Sequence, residues 1–439
     1  MKSEKRTRKN LASPVLFSVG LLVAAGMAGS LDYTSKVNSH SQFEEFVGDE
    51  FSPLPAAGKR PLTKDDMLAA EVAWVYLQKN IRKETGLVDS VAGFPSTTLW
   101  DQGSYILGLV SAHRLGLVEF DDFHDRLTRL LDTLERLPLV DGKLPNKTYD
   151  TRTLTMTDYQ NNPVSGGIGW SSLDIARLLV ALRILERNQP SFGARINSVI
   201  AQWSLEDLSR NGELMSGSTE GGELKYFQEG RIGYEQYGAR STAMWGVDVN
   251  QAISARRILD WRTINGTKVP TDLRTFEGFQ AITPTLSEPY FLIGLEFGFG
   301  SESQILASQV YKAQVARSLE LGILTMVSED HVNQEPHFLY SSVFSNGRAW
   351  AVVDEDGNLY PSLRTESVKS VYAWDALFST EYTKNARQEV LHLANAQKGW
   401  AAGYFEEDGS ANDIYSLNTN AIVLEAIHYM SKGSLWGVN

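Results

Sequence analysis

SSLDIARLLVALRILER, residues 171–187, is the stretch whose reading decides the fold. Ile175, Leu178, Leu179 and Leu182 recur at i, i+3, i+4 and i+7, the spacing of one apolar helix face. The same period repeats along the chain. Leu68, Val72, Val75 and Tyr76 carry it in a first helix, where Thr63 with Asp66 three residues on resembles a capping box. Further helices are expected at about 98–116, 120–137, 171–187, 192–208, 231–246, 249–259, 287–298, 302–321, 366–379, 382–396 and 417–431. Pro289 is placed for a first helical turn. Short links near 117–119, 188–191, 299–301 and 380–381 alternate with long ones near 84–97, 138–170, 209–230, 260–286, 322–365 and 397–416. Short links make antiparallel helix pairs, and six such pairs closed in a ring put every long loop on one rim. The expected fold is therefore all-α, an (α/α)6 toroid of about twelve helices. One rim loop, 335–353, reads as a small β-hairpin: Phe338, Tyr340, Val343, Trp350 and Val352 surround Asn346-Gly347.

The bulk composition bounds the function. With 439 residues, 42% hydrophobic and 21% charged, the chain can bury a large core. Its 53 acidic and 41 basic residues give a net charge of -12, which repels phosphate backbones. No nucleic-acid partner is expected, and a neutral or cationic substrate fits better. The absence of cysteine excludes disulfides, thiol catalysis, thiolate metal sites and a lipoprotein.

Residues 1–30 read as a signal peptide or an N-terminal membrane anchor. Lys2, Lys5, Arg6, Arg8 and Lys9 precede an apolar run from Val15 to Ala28, closed by small residues. Gly26 and Ala28 stand at plausible cleavage positions, while Leu11 to Leu31 is just long enough to span. Either way the body is exported, to the periplasm or beyond, with attachment to the inner membrane through residues 11–31 as the alternative to cleavage. Residues 31–61 are polar, a linker, and 62–439 form the toroid domain.

Acidic and aromatic residues sit side by side at the long loops and helix starts: Trp100/Asp101, Tyr149/Asp150, Asp158/Tyr159, Tyr234/Glu235 and Trp374/Asp375. Sugars offer apolar C–H faces for aromatic rings and hydroxyls for carboxylates and amides. The pairing points to a polysaccharide or oligosaccharide partner. Candidate contacts are Trp100, Asp101, Asn146, Tyr149, Asp150, Asp158, Trp170, Tyr234, Glu329 and Trp374. Competing roles stand beside these. Asp101 also suits a helix cap, Asp150 and Asp158 flank Arg152 as an ion-pair cluster would, Glu288 before Pro289 suits a cap, and Trp170, Trp374 and Trp400 suit core packing. The seven histidines lack HxH or HExxH spacing, and Asp354-Glu355-Asp356-Gly357-Asn358 lacks the distal ligands of a calcium loop, so neither a metal nor a cofactor is expected.

In their order these segments resemble the bacterial domain-of-unknown-function 3131 family, over about Lys64 to Tyr429. The resemblance implies a glucoamylase-like (α/α)6 fold and, more distantly, kinship with β-1,2-glucanase glycoside hydrolases. In those enzymes a Gly-Tyr-Asn-Glu segment carries the general acid. The related segment here is Gly233-Tyr234-Glu235-Gln236, with the acid one place earlier and Gln236 in the enzyme-like slot. Together the residues and the resemblance lead to the expectation of an inverting, two-carboxylate glycoside hydrolase acting on a β-glucan or related envelope or extracellular polysaccharide, with Glu235 as acid; Asp330 and Glu329 are the candidates for the second carboxylate, and Asp330 is taken as base. Such a pair would stand roughly 6.5–9.5 Å apart. The Gln236 departure supports the alternative, a non-catalytic saccharide-binding or envelope assembly factor on the same toroid.

Overall fold

The computed structural model describes residues 51–437. The signal or anchor segment and the first part of the linker lie outside the described residues. Twelve helices are present among the described residues: α1 (Lys64–Lys79), α2 (Leu99–Arg114), α3 (Phe120–Leu134), α4 (Ser172–Asn188), α5 (Gly193–Ile200), α6 (Tyr234–Ala243), α7 (Phe276–Phe279), α8 (Glu288–Leu292), α9 (Ser301–Leu321), α10 (Val368–Phe378), α11 (Glu381–Glu389) and α12 (Leu417–Lys432). The even-numbered helices from α2 to α12 pack in sequence, and α12 returns against α2. That closes the inner ring of a toroid.

Local chemistry sets the helix starts. Thr63 and Asp66 exchange both bonds of a capping box at α1. Thr98, Ser171 and Ser416 cap α2, α4 and α12 through their hydroxyls. Pro289 lies in the first turn of α8, which runs on into a π-helical turn over Ile293–Phe297.

One expected helix does not form. Residues 249–259 make turns and a short 3-10 segment, Ala255–Arg257. The backbone N–H groups of Gln251 and Ala252 both donate to the Gly212 carbonyl, at 3.0 and 3.2 Å. Those bonds hold the segment onto the neighbouring loop, where Val249 and Ala252 pack against Leu214 and Ala239.

The long loops hold much more β structure than the single hairpin expected. Seven small antiparallel sheets occur among the described residues, so "all-α" describes the ring and not the whole rim. Loops of this length must find partners for their own backbone groups. The expected hairpin is present: Phe344–Ser345 pairs with Arg348–Ala349. Asn346 and Gly347 take the positive φ values, 49° and 78°, that a type I′ turn requires. Phe338–Ser341 also pairs with Glu329–His331, setting Tyr340 opposite Glu329.

The described end of the linker is a strap running over α9, α10 and α12. The backbone N–H groups of Leu54, Ala57 and Arg60 donate to Ser308 Oγ, the Leu377 carbonyl and the Met430 carbonyl, at 2.9, 2.7 and 2.8 Å. Among the described residues no helix is long and apolar enough to cross a membrane.

Candidate functional site

The first turns of the inner helices bring their side chains together at the toroid axis, on the rim that carries the long loops. The floor is a fully buried ionic knot. Arg177 on α4 donates to Glu296 Oε1 at 2.5 Å, Glu425 Oε1 at 3.2 Å, the Tyr237 hydroxyl at 2.9 Å and Ser104 Oγ at 2.8 Å. Two carboxyls share one guanidinium away from solvent. Burial pushes both upward, Glu425 well above the usual carboxylate range.

Above the floor lies a second network. Ser104 Oγ and Trp100 Nε1 donate to Asn418 Oδ1, at 3.0 and 3.2 Å, and Asn418 Nδ2 donates to Glu288 Oε1 at 2.8 Å. Lys369, in the first turn of α10, stands 2.6 Å from Glu288 Oε2 and 3.4 Å from Asp330 Oδ1, and donates to the Glu329 carbonyl. Trp100 is half-buried. Its ring meets Tyr234 edge-on at 5.4 Å, and the Arg177 guanidinium lies 4.9 Å from its centre.

Four rim segments bring further acidic and aromatic side chains together beside this network. Asp174, in the first turn of α4, is half-buried. Burial, and then the negative charges of Glu229 and Asp101, push its carboxyl well above the usual range, against the opposing pull of Lys147. Glu229 accepts from Ser172 Oγ at 2.8 Å, from the Leu173 N–H at 3.0 Å and from Ser216 Oγ. Its carboxyl is seated on the start of α4, where the helix dipole favours an acidic side chain. Tyr159 and Tyr340 complete the group, both within the fields of Asp174, Glu229 and Glu355. Tyr159 is 56% exposed at a loop tip. Glu329 is buried. Burial raises it to about 7 despite Lys369, and its Oε1 has no hydrogen-bond partner among the described residues. Asp330 is raised by burial to about 6, with Lys369 opposing.

Of the sequence candidates, Trp100, Asp101, Tyr234, Glu329 and Asp330 meet at this axis. Asp101 is nearly enclosed and accepts from Ser90 Oγ at 2.5 Å and Thr98 Oγ1 at 2.9 Å, the capping role set beside sugar contact.

The other candidates stand elsewhere, for physical reasons. Glu235 is fully enclosed, with Arg274 at 2.7 Å and Arg257 at 3.8 Å, so its carboxylate is closed to solvent. Asn146 spends its side chain on the Thr148 and Thr157 carbonyls and the Ile168 N–H. Tyr149 is buried, its hydroxyl donating to the Pro138 carbonyl. Trp170 and Trp374 are fully buried, the first against Tyr226 and the second between Phe291, Tyr311 and Phe378. Asp150 is locked in a turn by Arg152 and Asn161, and Arg152 holds it below the usual range. Asp158 caps the Gln160–Asn162 turn that carries Tyr159.

Asp174, Tyr340, Glu355 and Lys369 escape sequence reading as site residues. Asp174 lies inside the helix start that opens the 171–187 stretch. The signal that could have found it is its place in a first inner turn, equivalent to Asp101, Glu288 and Lys369. Among the described residues no cluster of three or more histidines and carboxylates is arranged to hold a metal ion.

An inner ring of six helices, an outer layer and loop-built sheets on the axial rim make this an (α/α)6 toroid of the glucoamylase-like kind. The chain belongs to the family described as "Protein of unknown function (DUF3131)", whose model matches residues 68–433. The fold is similar to that of an endo-β-1,2-glucanase from Chitinophaga pinensis, solved with sophorotriose and glucose (TM-score 0.62, 10% identity, covering 86% of this chain and 94% of that one). It is also similar to a provisionally assigned glucoamylase from Bacteroides fragilis (TM-score 0.61, 10% identity, covering 87% and 94%). An endo-β-1,2-glucanase from Talaromyces funiculosus, solved with sophorose, is similar as well (TM-score 0.57, 11% identity, covering 85% and 85%). No curated protein matches the sequence significantly.

Proposed function

We propose that this chain is a glycoside hydrolase that cleaves a β-glucan or related envelope polysaccharide across the axial cleft. The observation that carries the reading is the placement of its carboxyls. Asp174 stands half-buried in the first turn of α4, where burial, Glu229 and Asp101 favour its protonated form, and Asp330 lies 3.4 Å from the Lys369 ammonium, which favours its ionised form. Glycoside hydrolysis needs one protonated and one ionised carboxyl. Asp174 protonates the leaving glycosidic oxygen. Asp330 takes the proton of the attacking water, and Lys369 holds it as an anion. Trp100, Tyr234, Tyr159 and Tyr340 supply ring faces and hydroxyls to the sugar. Glu235 serves the frame instead, locking the start of α6 to Arg274.

The basic N-terminus and the apolar run behind it support export, which places the substrate outside the cytoplasm. The test is reducing-end release from β-linked glucans by the purified chain and by Asp174→Asn. One feature favours a second reading, a binding factor without catalysis: the carboxylate of the Gly233–Gln236 segment is sealed behind Arg274. Saturable sugar binding with no release by either form would establish that reading.

A further inference from the structure

We infer that the saccharide taken by this cleft is cationic, a polymer of amino sugars carrying free ammonium groups. This inference rests on the hydrolase reading above and names its substrate class.

The cleft is unbalanced in charge. Glu229, half-buried, and Glu355, exposed, come from two different rim segments and stand with Asp174, which carries a proton as the proposed acid, around Tyr159. Asp101 and Glu329 lie buried beside them. The nearby cations offset them only in part. Arg177 is paired with Glu296 and Glu425, and Lys369 is consumed by Glu288, Asp330 and the Glu329 carbonyl. Lys147, with its ammonium 5.5 Å from the Phe227 ring centre, is one positive charge opposing both Asp174 and Glu355.

An independent observation points to a missing donor. Glu329 is 4% exposed, yet its Oε1 has no hydrogen-bond partner among the described residues. An unpaired buried carboxylate oxygen is costly. Its strand partner across the ladder is Tyr340, which stands in this group with Tyr159. A sugar ammonium brings three donors and a positive charge to this place. The aromatic faces of Tyr159, Tyr340 and Tyr234 attract a cation by their quadrupoles. A neutral hexose brings donors without charge, and uronates or phosphorylated sugars meet repulsion.

The test uses the full chain with three probes: a chitosan hexamer, the same hexamer fully N-acetylated, and a neutral β-1,2-linked glucan oligomer. Binding is read by tryptophan fluorescence at low and high salt, and cleavage by reducing ends. The free-amine oligomer should bind about tenfold more tightly than its acetylated form. The preference should shrink in high salt and in Glu355→Gln, a substitution at an exposed position that the fold tolerates. Equal or tighter binding of the acetylated or neutral oligomer overturns the inference. If that oligomer is also cleaved, the hydrolase reading stands alone. Free-amine preference without cleavage keeps the inference on charge and removes the hydrolase reading. No binding of any probe overturns both.

Discussion

Lys369 and Glu288 stand 2.6 Å apart in the first turns of neighbouring inner helices, and both side chains are almost wholly buried. The same ammonium also faces Asp330 at 3.4 Å. One cation therefore compensates two carboxylates where α8, α10 and the Glu329–His331 strand converge. Lys369→Met should leave both acids buried and unpaired, at a cost of about 3–5 kcal/mol. Thermal melts should show the loss, and it should be larger near pH 8 than near pH 5, where protonation relieves the uncompensated charge. A melting temperature unchanged at both pH values would show that the pair contributes nothing.

Glu235→Gln separates frame from chemistry. The substitution removes the charge that faces Arg274, so stability should fall by about 3 kcal/mol in denaturant titration. Oligosaccharide affinity should stay within twofold of the native value, because the carboxylate does not open onto the cleft. Loss of sugar turnover in a fully folded Glu235→Gln protein would return the acid role to Glu235.

The aromatic residues divide in the same manner. Trp374→Ala should cost about 3–5 kcal/mol through the cavity it leaves among Phe291, Tyr311 and Phe378. Trp100→Phe keeps the bulk but loses the bond to Asn418, and should weaken oligosaccharide binding with little change in melting temperature. Comparison of the two variants by calorimetry and sugar titration checks both statements.

Glu329 supplies a pH signature. Its folded pKa, about 7, lies above its ordinary value of 4.5, so the folded state binds the proton more tightly than the unfolded state. The stability it contributes is complete below about pH 4.5 and is lost as pH rises through about 7. Glu329→Gln cannot ionise. Relative to the native chain it should gain stability between pH 5 and pH 8, measured as the difference in melting temperature across that range. A constant difference would mean that Glu329 titrates normally.

Much of the ring is legible in the sequence because helix periodicity and capping are local. The Ile175–Leu182 stripe, the Thr63–Asp66 box and Pro289 each have short-range causes. The alternation of short and long links is enough to give the toroid. The 249–259 segment misleads because the bonds that decide it run to Gly212, nearly forty residues away. The rim strands escape for the same reason: their partners are set by loop geometry and not by a local pattern. In the site, adjacency of an acid and an aromatic residue is a weak signal. A helix start has only a narrow sector facing the axis, so one residue of such a pair reaches the cleft while its neighbour turns into the wall, as Tyr234 and Glu235 do. Asp174 is recognisable only once the inner ring is closed, because its raised proton affinity comes from burial and from Glu229 and Asp101 on other segments.

The most direct measurement is the rate of reducing-end release from a panel of β-linked glucans and amino-sugar polymers by the native chain and by Asp174→Asn. An acid role for Asp174 predicts release by the native chain and a loss of about 10²–10⁴-fold in the variant, the usual worth of a positioned general acid, with the fold and sugar affinity retained. Equal rates for the two forms, or no release by the native chain from any polymer it binds, would contradict it.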